Sequence, residues 1–222
     1  MNAASLIPFA KRIFTAASNG LSKLGEAIGS DALTYHPGIF LSFHRAALRN
    51  APKFADAILA EFPHIKSIAD IGCGSGGYAA EFQRRGLRTI ACERSPRGRR
   101  YAAKQGLNCQ FFDFEFPDIK VTGLPVDLAT SLEVAEHIPA PLSDAFVTFL
   151  TQASNTVALT AAHPGQGGQG HINEQPQSYW INKFESRAFR HDPDASARIA
   201  AALRNSNAAG YLVDNIMLFK KI

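Results

Sequence analysis

The 222-residue sequence has few of the features that mark membrane proteins, disulfide-rich proteins or repeat proteins. No apolar run approaches the roughly 20 residues that a membrane-spanning helix needs, so no membrane partner is expected. The cysteines Cys73, Cys92 and Cys109 are odd in number and lack paired spacing. We therefore expect the three cysteines to be free thiols in a reducing compartment, which predicts a cytoplasmic location. Internal repeats and low-complexity linkers are also missing, which excludes a solenoid or a tethered array.

The chain has little excess of charge of either sign. Its net charge is +4 and its hydrophobic content is 46%, values typical of a globular protein and too mild to argue for nucleic-acid binding alone. A cluster of basic residues over positions 94–104 could contact an anionic substrate or RNA, or be a solvated helix face. Tyr101 is the one aromatic residue among these charges, which does not make the series of interleaved aromatics typical of single-strand binding, so a nucleic-acid partner is not expected.

Helical periodicity dominates the first quarter of the chain. Apolar residues at helical spacing predict helices over residues 5–17, 21–28, 39–48 and 55–62, the last ended by Pro63. We expect residues 1–62 to form a helical cover that packs on a core made by residues 63–222.

The core is organised around a glycine-rich turn between a strand at 67–71 and a helix at 78–85. Gly72, Gly74 and Gly77 match the pattern G-x-G-x-x-G, which permits positive φ and brings a ligand close to backbone N–H groups. Glu93 ends the next predicted strand, at 88–92, and stands 21 residues after Gly72. An acid at this place can accept hydrogen bonds from both hydroxyls of a ribose.

Asp70, two residues before the first glycine, makes this stretch resemble class I S-adenosylmethionine (SAM)-dependent methyltransferases of the small-molecule type. Their first motif is an acidic residue followed by G-x-G-x-G. An NAD(P)-dependent oxidoreductase would share the turn, but the sequence offers no second motif for it. The resemblance covers about residues 64–220 and implies a cofactor, SAM. The SAM-binding residues that it implies are Asp70, Gly72, Cys73, Gly74, Gly76, Glu93, Arg94, Asp113, Phe114, Ser131 and Leu132.

The resemblance also implies the fold. It is α/β, a Rossmann-like, seven-stranded, doubly wound sheet whose last strand runs antiparallel between the fifth and the sixth. We predict the remaining strands at residues 108–112, 126–131, 156–161, 188–191 and 211–219. The family places an acidic residue after the third strand to accept from the adenine amino group, with an apolar neighbour against the ring. Asp113 matches the acidic position, with Phe112 or Phe114 as the apolar neighbour.

The segment Leu132-Glu133-Val134-Ala135-Glu136-His137 follows the fourth predicted strand, at the sheet edge where ligands bind. In one interpretation it packs beside the methionine part of SAM, and His137 is structural or a proton acceptor. In the other, Glu133, Glu136 and His137 bind a divalent metal, since two carboxylates and an imidazole suit Mg²⁺, Mn²⁺ or Zn²⁺. The segment resembles the metal-binding stretch of ubiquinone-pathway O-methyltransferases and of small-RNA 2′-O-methyltransferases, and the latter also use a later histidine.

A long glycine-rich loop at 163–176 follows the fifth predicted strand. Long loops at a ligand edge are commonly functional. We single out His171 as a general base or a fourth metal ligand, with a turn-stabilising role as the alternative.

Together these motifs predict an enzyme that moves a methyl group from SAM to an O or N of a small-molecule acceptor. The alternatives are a metal-dependent RNA 2′-O-methyltransferase and a non-catalytic SAM-binding protein. The candidate catalytic residues are His171 and His137, and the candidate metal ligands are Glu133, Glu136, His137 and His171. The acceptor and the oligomeric state cannot be read from the sequence.

Overall fold

A computed structural model describes residues 17–18, 20–25, 35–116 and 118–222. The chain divides into two compact units, residues 1–45 with 168–170, and residues 46–167 with 171–222. Most of the predicted helix over 5–17 lies outside the described residues, and residues 20–25 are helical. The prediction that residues 1–62 form a cover stays a prediction. In the described ranges, no helix has both the length and the apolarity to cross a membrane.

The larger unit contains a seven-stranded sheet with the order β3-β2-β1-β4-β5-β7-β6. Its strands are β1 (Ser67–Ile71), β2 (Arg88–Cys92), β3 (Cys109–Gln110), β4 (Leu128–Leu132), β5 (Thr156–Thr160), β6 (Phe189–His191) and β7 (Met217–Lys221). The α-helices with assigned bounds are α1 (Pro37–Glu61), α2 (Gly77–Arg84), α3 (Pro96–Lys104), α4 (Ser143–Ala153), α5 (Gln177–Glu185), α6 (Pro193–Asn205) and α7 (Gly210–Asn215).

The neighbouring pairs among β1 to β5 are all parallel, and β7 runs antiparallel to both β5 and β6. This confirms the predicted fold class and the place of the last strand. The carboxyl ends of the parallel strands therefore meet at one edge, where the glycine-rich turn, Glu93 and the segment after β4 all lie.

The sheet is buried on both faces because its central strands are apolar at successive positions. Side chains alternate between the faces along a strand. In β1, Ile68 packs with Phe54 and Leu203 on one face, whereas Ile71 packs with Trp180 and Phe146 on the other. Two-sided burial of this kind is what a mostly parallel sheet requires.

Two predicted helices prove to be one, because α1 runs without a break from Pro37 to Glu61 and contains Pro52. Proline inside a helix costs about 3 kcal/mol. Ala51, Phe54 and Ala55 around it are fully or almost fully buried. The continuous apolar face outweighs the lost hydrogen bond.

The last strand is shorter than predicted, because residues 210–215 form α7 and only 217–221 form β7. Leu212, Ile216 and Leu218 alternate as a strand would, but β5 has only five residues to pair with. Its register matches Leu159 with Met217 and Thr156 with Lys220, so the chain before Met217 has no strand partner. The third strand is likewise short, at 109–110 instead of 108–112.

Candidate active site

The glycine-rich turn leaves β1 through three glycines that all have positive φ, 76° at Gly72, 55° at Gly74 and 77° at Gly76. A Cβ at Gly72 would lie 2.7 Å from a methyl of Val134, and one at Gly76 would lie 2.7 Å from Leu107 Cδ1. Among the described residues, a Cβ at Gly74 would meet nothing within 4 Å. Gly72 and Gly76 are therefore required for packing, whereas Gly74 leaves an open cradle at the turn.

Cys73 lies inside this turn and is buried. The N–H groups of Gly72 and Cys73 both donate to the Cys92 carbonyl oxygen at 2.9 Å, which fastens the turn to β2. The Cys73 Sγ lies 3.6 Å from Cys109 Sγ. All three cysteines, which belong to the described part of the chain, are free thiols.

Glu93 follows β2 and closes one side of the cradle. Its Oε2 accepts from the Gly74 N–H at 2.8 Å, and its Oε1 accepts from the Ser95 N–H at 2.6 Å. A carboxylate has about four acceptor sites, so both oxygens keep capacity for ligand hydroxyls. Gly98 makes this placement possible, because a Cβ there would lie 2.6 Å from Glu93 Cγ and 2.7 Å from the Gly74 carbonyl oxygen.

Asp70 lies beneath the turn and is almost fully buried. Its Oδ1 accepts from Thr130 Oγ1 at 3.3 Å, whereas Oδ2 has no hydrogen-bond partner among the described residues. Burial is the main cause that raises the pKa of Asp70, to about 7. The hydrogen bond from Thr130 lowers the pKa of Asp70 in part, and the nearby Glu93 carboxylate raises it further. A buried carboxyl of this kind interacts strongly with any cation that approaches the turn.

Asp113 and Arg94 form an ion pair, with Arg94 Nε 2.9 Å from Asp113 Oδ2. Asp113 is buried, and its other oxygen accepts from the Glu115 N–H at 3.1 Å. Phe114 packs edge-on against Phe146, with ring centroids 5.2 Å apart. The structure thus joins the two predicted polar residues to each other, and it places Phe114 at the border of the core.

Ser131 and Leu132 end β4. The Ser131 hydroxyl donates to the Ile71 carbonyl oxygen at 2.8 Å, which ties β4 to β1 just before the turn. Leu132 is half-buried and packs against the core cluster that contains Ile58. Both side chains support the edge on which the cradle lies.

Glu133 turns the chain at this edge with a φ of 52°, which is uncommon for a residue other than glycine. Its Oε1 accepts from Asn215 Nδ2 at 3.0 Å, and its Oε2 accepts from Gln166 Nε2 at 2.9 Å. Asn215 also donates to Gln166 Oε1 at 2.8 Å, which completes a closed ring of three side chains. Side-chain amides hydrogen-bond to both oxygens of the Glu133 carboxylate. Glu133 is not part of the cluster of possible metal ligands.

That cluster consists of Glu136, His137 and His171, each of which offers one ligand atom within 4.8 Å of the other two. The His137 and His171 rings meet edge-on, with centroids 5.0 Å apart. Their elements are the short 3₁₀ helix Ala135–His137 and the glycine-rich loop. The structure therefore brings together three of the four predicted metal ligands.

Glu136 is fully buried, and neither of its carboxylate oxygens has a hydrogen-bond partner among the described residues. His171 Nε2 lies 3.9 Å from Glu136 Oε1. Burial, followed by the nearby Glu133 carboxylate, raises the pKa of Glu136 well above its usual range. A buried carboxylate without partners is stable only if it takes a proton or binds a cation.

The glycine-rich loop reaches this cluster from β5. Glu136 anchors it through its backbone, since the Glu136 carbonyl oxygen accepts from the Ile172 and Asn173 N–H groups at 2.9 and 3.0 Å. Glu174 lies 2.8 Å from His171 Nδ1. The two predicted catalytic residues, His137 and His171, therefore lie side by side at the sheet edge.

The predicted site residues do not include several residues that shape the site. Gly98 and Thr130 carry no local motif, because their importance comes from contacts with Glu93 and Asp70 on other elements. Glu174 stood in the glycine-rich loop, and its spacing of three residues from His171 was the available signal. Asn215 lies far along the chain and was predicted in a strand.

Comparisons with known proteins support the fold on which this site lies. A family model described as a methyltransferase domain matches residues 42–162. An uncharacterized methyltransferase from Mycobacterium sp. (strain KMS) is 33% identical over 89 residues, which is 36% of this chain and 31% of that protein. The chain thus spans about a third of the length of the curated relatives that it matches.

Solved structures share the fold at low sequence identity. The magnesium protoporphyrin IX methyltransferase from Synechocystis PCC 6803, solved with SAH, has a TM-score of 0.62 and 13% identity. It covers 89% of this chain and 100% of its own. CalS10, an amino pentose methyltransferase from Micromonospora echinaspora solved with SAM, has a TM-score of 0.59 and 12% identity over 83% of this chain and 97% of its own.

Proposed function

The chain belongs to the methyltransferase domain family, and from this premise we propose that it moves a methyl group from SAM to an oxygen or nitrogen of a small-molecule acceptor. The observation that carries the proposal is the open cradle at Gly74, with the Glu93 carboxylate on one side and buried Asp70 beneath it. Structural neighbours that were solved with SAM or SAH support the choice of donor, and their names support a small-molecule acceptor. We also propose a cytoplasmic location, since the cysteines are free thiols.

The residues around the cradle suit the parts of SAM. Glu93 is placed to accept from the ribose hydroxyls while it keeps its bonds to the turn. Asp113, held by Arg94, suits the adenine amino group, with Phe114 beside the ring. Asp70 has an unpartnered oxygen beneath the turn and suits the cationic methionine part of SAM. Bound SAM supplies a methyl group that its sulfonium already activates.

The chain's own chemical task is to orient an acceptor and to take its proton. A neutral imidazole suits proton removal near neutral pH. In the proposed reaction His171 removes the proton from the acceptor O–H or N–H, with His137 as its neighbour. The acceptor lone pair forms the new bond to the methyl carbon as the carbon–sulfur bond breaks, and SAH leaves. Orientation and exclusion of water supply much of the acceleration.

The first test is calorimetric titration of the purified protein with SAM, SAH, NAD and NADP. We expect binding of SAM and SAH alone, and binding of a nicotinamide cofactor without SAM would overturn the proposal. The second test measures SAH release with panels of small amines and hydroxyl compounds and with RNA oligonucleotides. Tight SAM binding with no transfer to any acceptor would favour a non-catalytic SAM-binding protein.

A matched pair of variants tests the role of His171. His171→Ala should lower turnover far more than SAM affinity, because the side chain acts on the acceptor. His163→Ala is the control, since His163 belongs to the same loop but is exposed, and its ring hydrogen-bonds to the neighbouring Pro164 carbonyl oxygen. Equal losses of turnover and SAM affinity in His171→Ala would contradict a role in proton removal.

A second candidate is a metal-assisted reaction, which Glu136 favours because its carboxylate has no hydrogen-bond partner among the described residues. Glu136, His137 and His171 would hold a divalent cation, and one carboxylate with two imidazoles suits Zn²⁺, Mn²⁺ or Fe²⁺. Such a cation would lower the pKa of an acceptor hydroxyl. Glu133 is not among these ligands, because its carboxylate accepts hydrogen bonds from Asn215 and Gln166.

Elemental analysis of the purified protein and calorimetry with each cation separate the two candidates. Stoichiometric metal that His137→Ala removes and His163→Ala retains would support the metal site. A chelator that leaves SAH release unchanged would exclude a metal role in the reaction. RNA is not the proposed acceptor, because Arg94 is already paired with Asp113 and Arg99 contacts the Glu93 carbonyl oxygen and the Phe111 ring.

A further inference from the structure

We infer that Glu174 is a positioning residue that fixes the tautomer of His171 and, through the same carboxylate, holds the glycine-rich loop in the conformation that presents His171 Nε2 to the site. The inference rests on the proposed function, since it names what sets the reactive nitrogen of that site. It holds whether Nε2 takes a proton or binds a cation, because both roles need that nitrogen unprotonated.

Three N–H donors converge on the Glu174 carboxylate. Oε1 lies 2.8 Å from His171 Nδ1 and accepts from the Gly167 N–H at 2.7 Å. Oε2 accepts from the Gly165 N–H at 2.8 Å. Both oxygens of the Glu174 carboxylate are therefore bonded within the glycine-rich loop, to partners at most nine positions before Glu174.

The chemistry of the pair decides which His171 nitrogen carries the hydrogen. An ionised carboxylate only accepts, so Nδ1 must be the donor at 2.8 Å. The Gly165 and Gly167 N–H groups both donate to the Glu174 carboxylate, which favours its ionised form. In the neutral imidazole, Nε2 is then left with its lone pair. Nε2 faces Glu136, whose Oε1 lies 3.9 Å away.

The loop depends on the same carboxylate. Gly165 and Gly167 have φ values of 85° and 68°, and a Cβ at either would meet nothing within 4 Å. Packing therefore does not hold these two residues, and their N–H groups point at Glu174 as in an anion-binding nest. Residues 161–176 contain no helix or strand, so their path depends on individual hydrogen bonds, and Glu174 accepts those from Gly165 and Gly167.

Two variants separate the two effects. Glu174→Ala removes the acceptor for all three donors. Glu174→Gln keeps one oxygen for His171 and Gly167 but places an amide NH₂ opposite the Gly165 N–H, where it cannot accept. Glu185→Gln serves as the matched control, because Glu185 is an exposed acid at the end of α5 and away from the loop.

The experiment is ¹⁵N NMR of the histidine rings in the full-length protein at pH 8, where an ordinary histidine is neutral. His171→Gln identifies the His171 signals by their loss. We expect the Nδ1–H tautomer in the wild type, Glu174→Gln and Glu185→Gln, and a shift toward Nε2–H in Glu174→Ala. Amide exchange at Gly165 should be about tenfold faster in Glu174→Gln, as expected for loss of one hydrogen bond of about 1.4 kcal/mol.

Three outcomes would overturn the inference. These are an Nε2–H tautomer in the wild type, an unchanged tautomer in a folded Glu174→Ala, and unchanged Gly165 exchange in Glu174→Gln. If Glu174→Ala does not fold, the tautomer of His171 in the wild type and the amide exchange rate of Gly165 in Glu174→Gln still test the inference. SAM calorimetry on the same samples keeps the questions apart, because absent SAM binding with the Nδ1–H tautomer in place would count against the proposed function alone.

Discussion

Gly72→Ala tests whether the turn is shaped by packing against the segment after β4. A Cβ at Gly72 would lie 2.7 and 2.8 Å from the two methyls of Val134, well inside the normal 3.5–4.0 Å contact. Overpacking of this kind costs about 1–3 kcal/mol. Alanine at a φ of 76° adds about 1 kcal/mol of backbone strain. We expect the free energy of unfolding to fall by about 2–4 kcal/mol, measured by urea denaturation followed by circular dichroism.

Gly74→Ala is the matched control, because its φ is also positive but its Cβ would meet nothing within 4 Å. It should lose only about 1 kcal/mol of stability. Its methyl would occupy the cradle, so calorimetry should show SAM binding weakened at least about tenfold, a loss of about 1.4 kcal/mol. Val134→Ala should partly rescue Gly72→Ala, with a coupling of about 1–2 kcal/mol in the double-mutant cycle. Equal destabilisation by the two glycine variants, or full additivity with Val134→Ala, would refute the reasoning.

Three other predictions follow from single contacts. Asp70 has a pKa raised to about 7, so its burial lowers the stability of the wild type as pH rises from about 4 to 7. Asp70→Asn should remove this loss, so its free energy of unfolding at pH 8 should exceed that of the wild type by up to about 4 kcal/mol in urea denaturation. SAM binding should weaken in the same variant. The same difference in unfolding free energy between variant and wild type at pH 5 and at pH 8 would contradict this prediction. Gly98→Ala should push the Glu93 carboxylate from the cradle and weaken SAM binding about tenfold in calorimetry, and an unchanged affinity would show that Glu93 can adjust. Asp127 has a pKa lowered first by the Lys66 N–H, so its contribution is present above about pH 4 and lost as pH falls through its folded pKa. Asp127→Ala should cost about 1 kcal/mol at pH 7 and less at pH 2, and a pH-independent difference would argue against the ionised form as the stabilising one.

Most of the fold could be predicted from local patterns. Strand β2 and helix α2 match their expected positions within a residue, because apolar runs and terminal glycines are local signals. Two of the errors concerned competition between elements. Pro52 was expected to lie between two helices, but the buried face of Phe54 and Ala55 continues across it. The alternating stretch before Met217 had no free strand to pair with.

The sequence by itself determined the turn, the acid after β2, and the histidines that follow β4 and β5, because each lies in a short motif with its own spacing. Only the tertiary structure decided which of these groups meet. It paired Arg94 with Asp113, bonded Glu133 to Asn215 and Gln166, and buried Glu136 with no hydrogen-bond partner among the described residues. The physical reason is that parallel strands bring distant loops to one edge. There, distances of a few ångströms decide whether a carboxylate meets an amide, an imidazole or no partner at all.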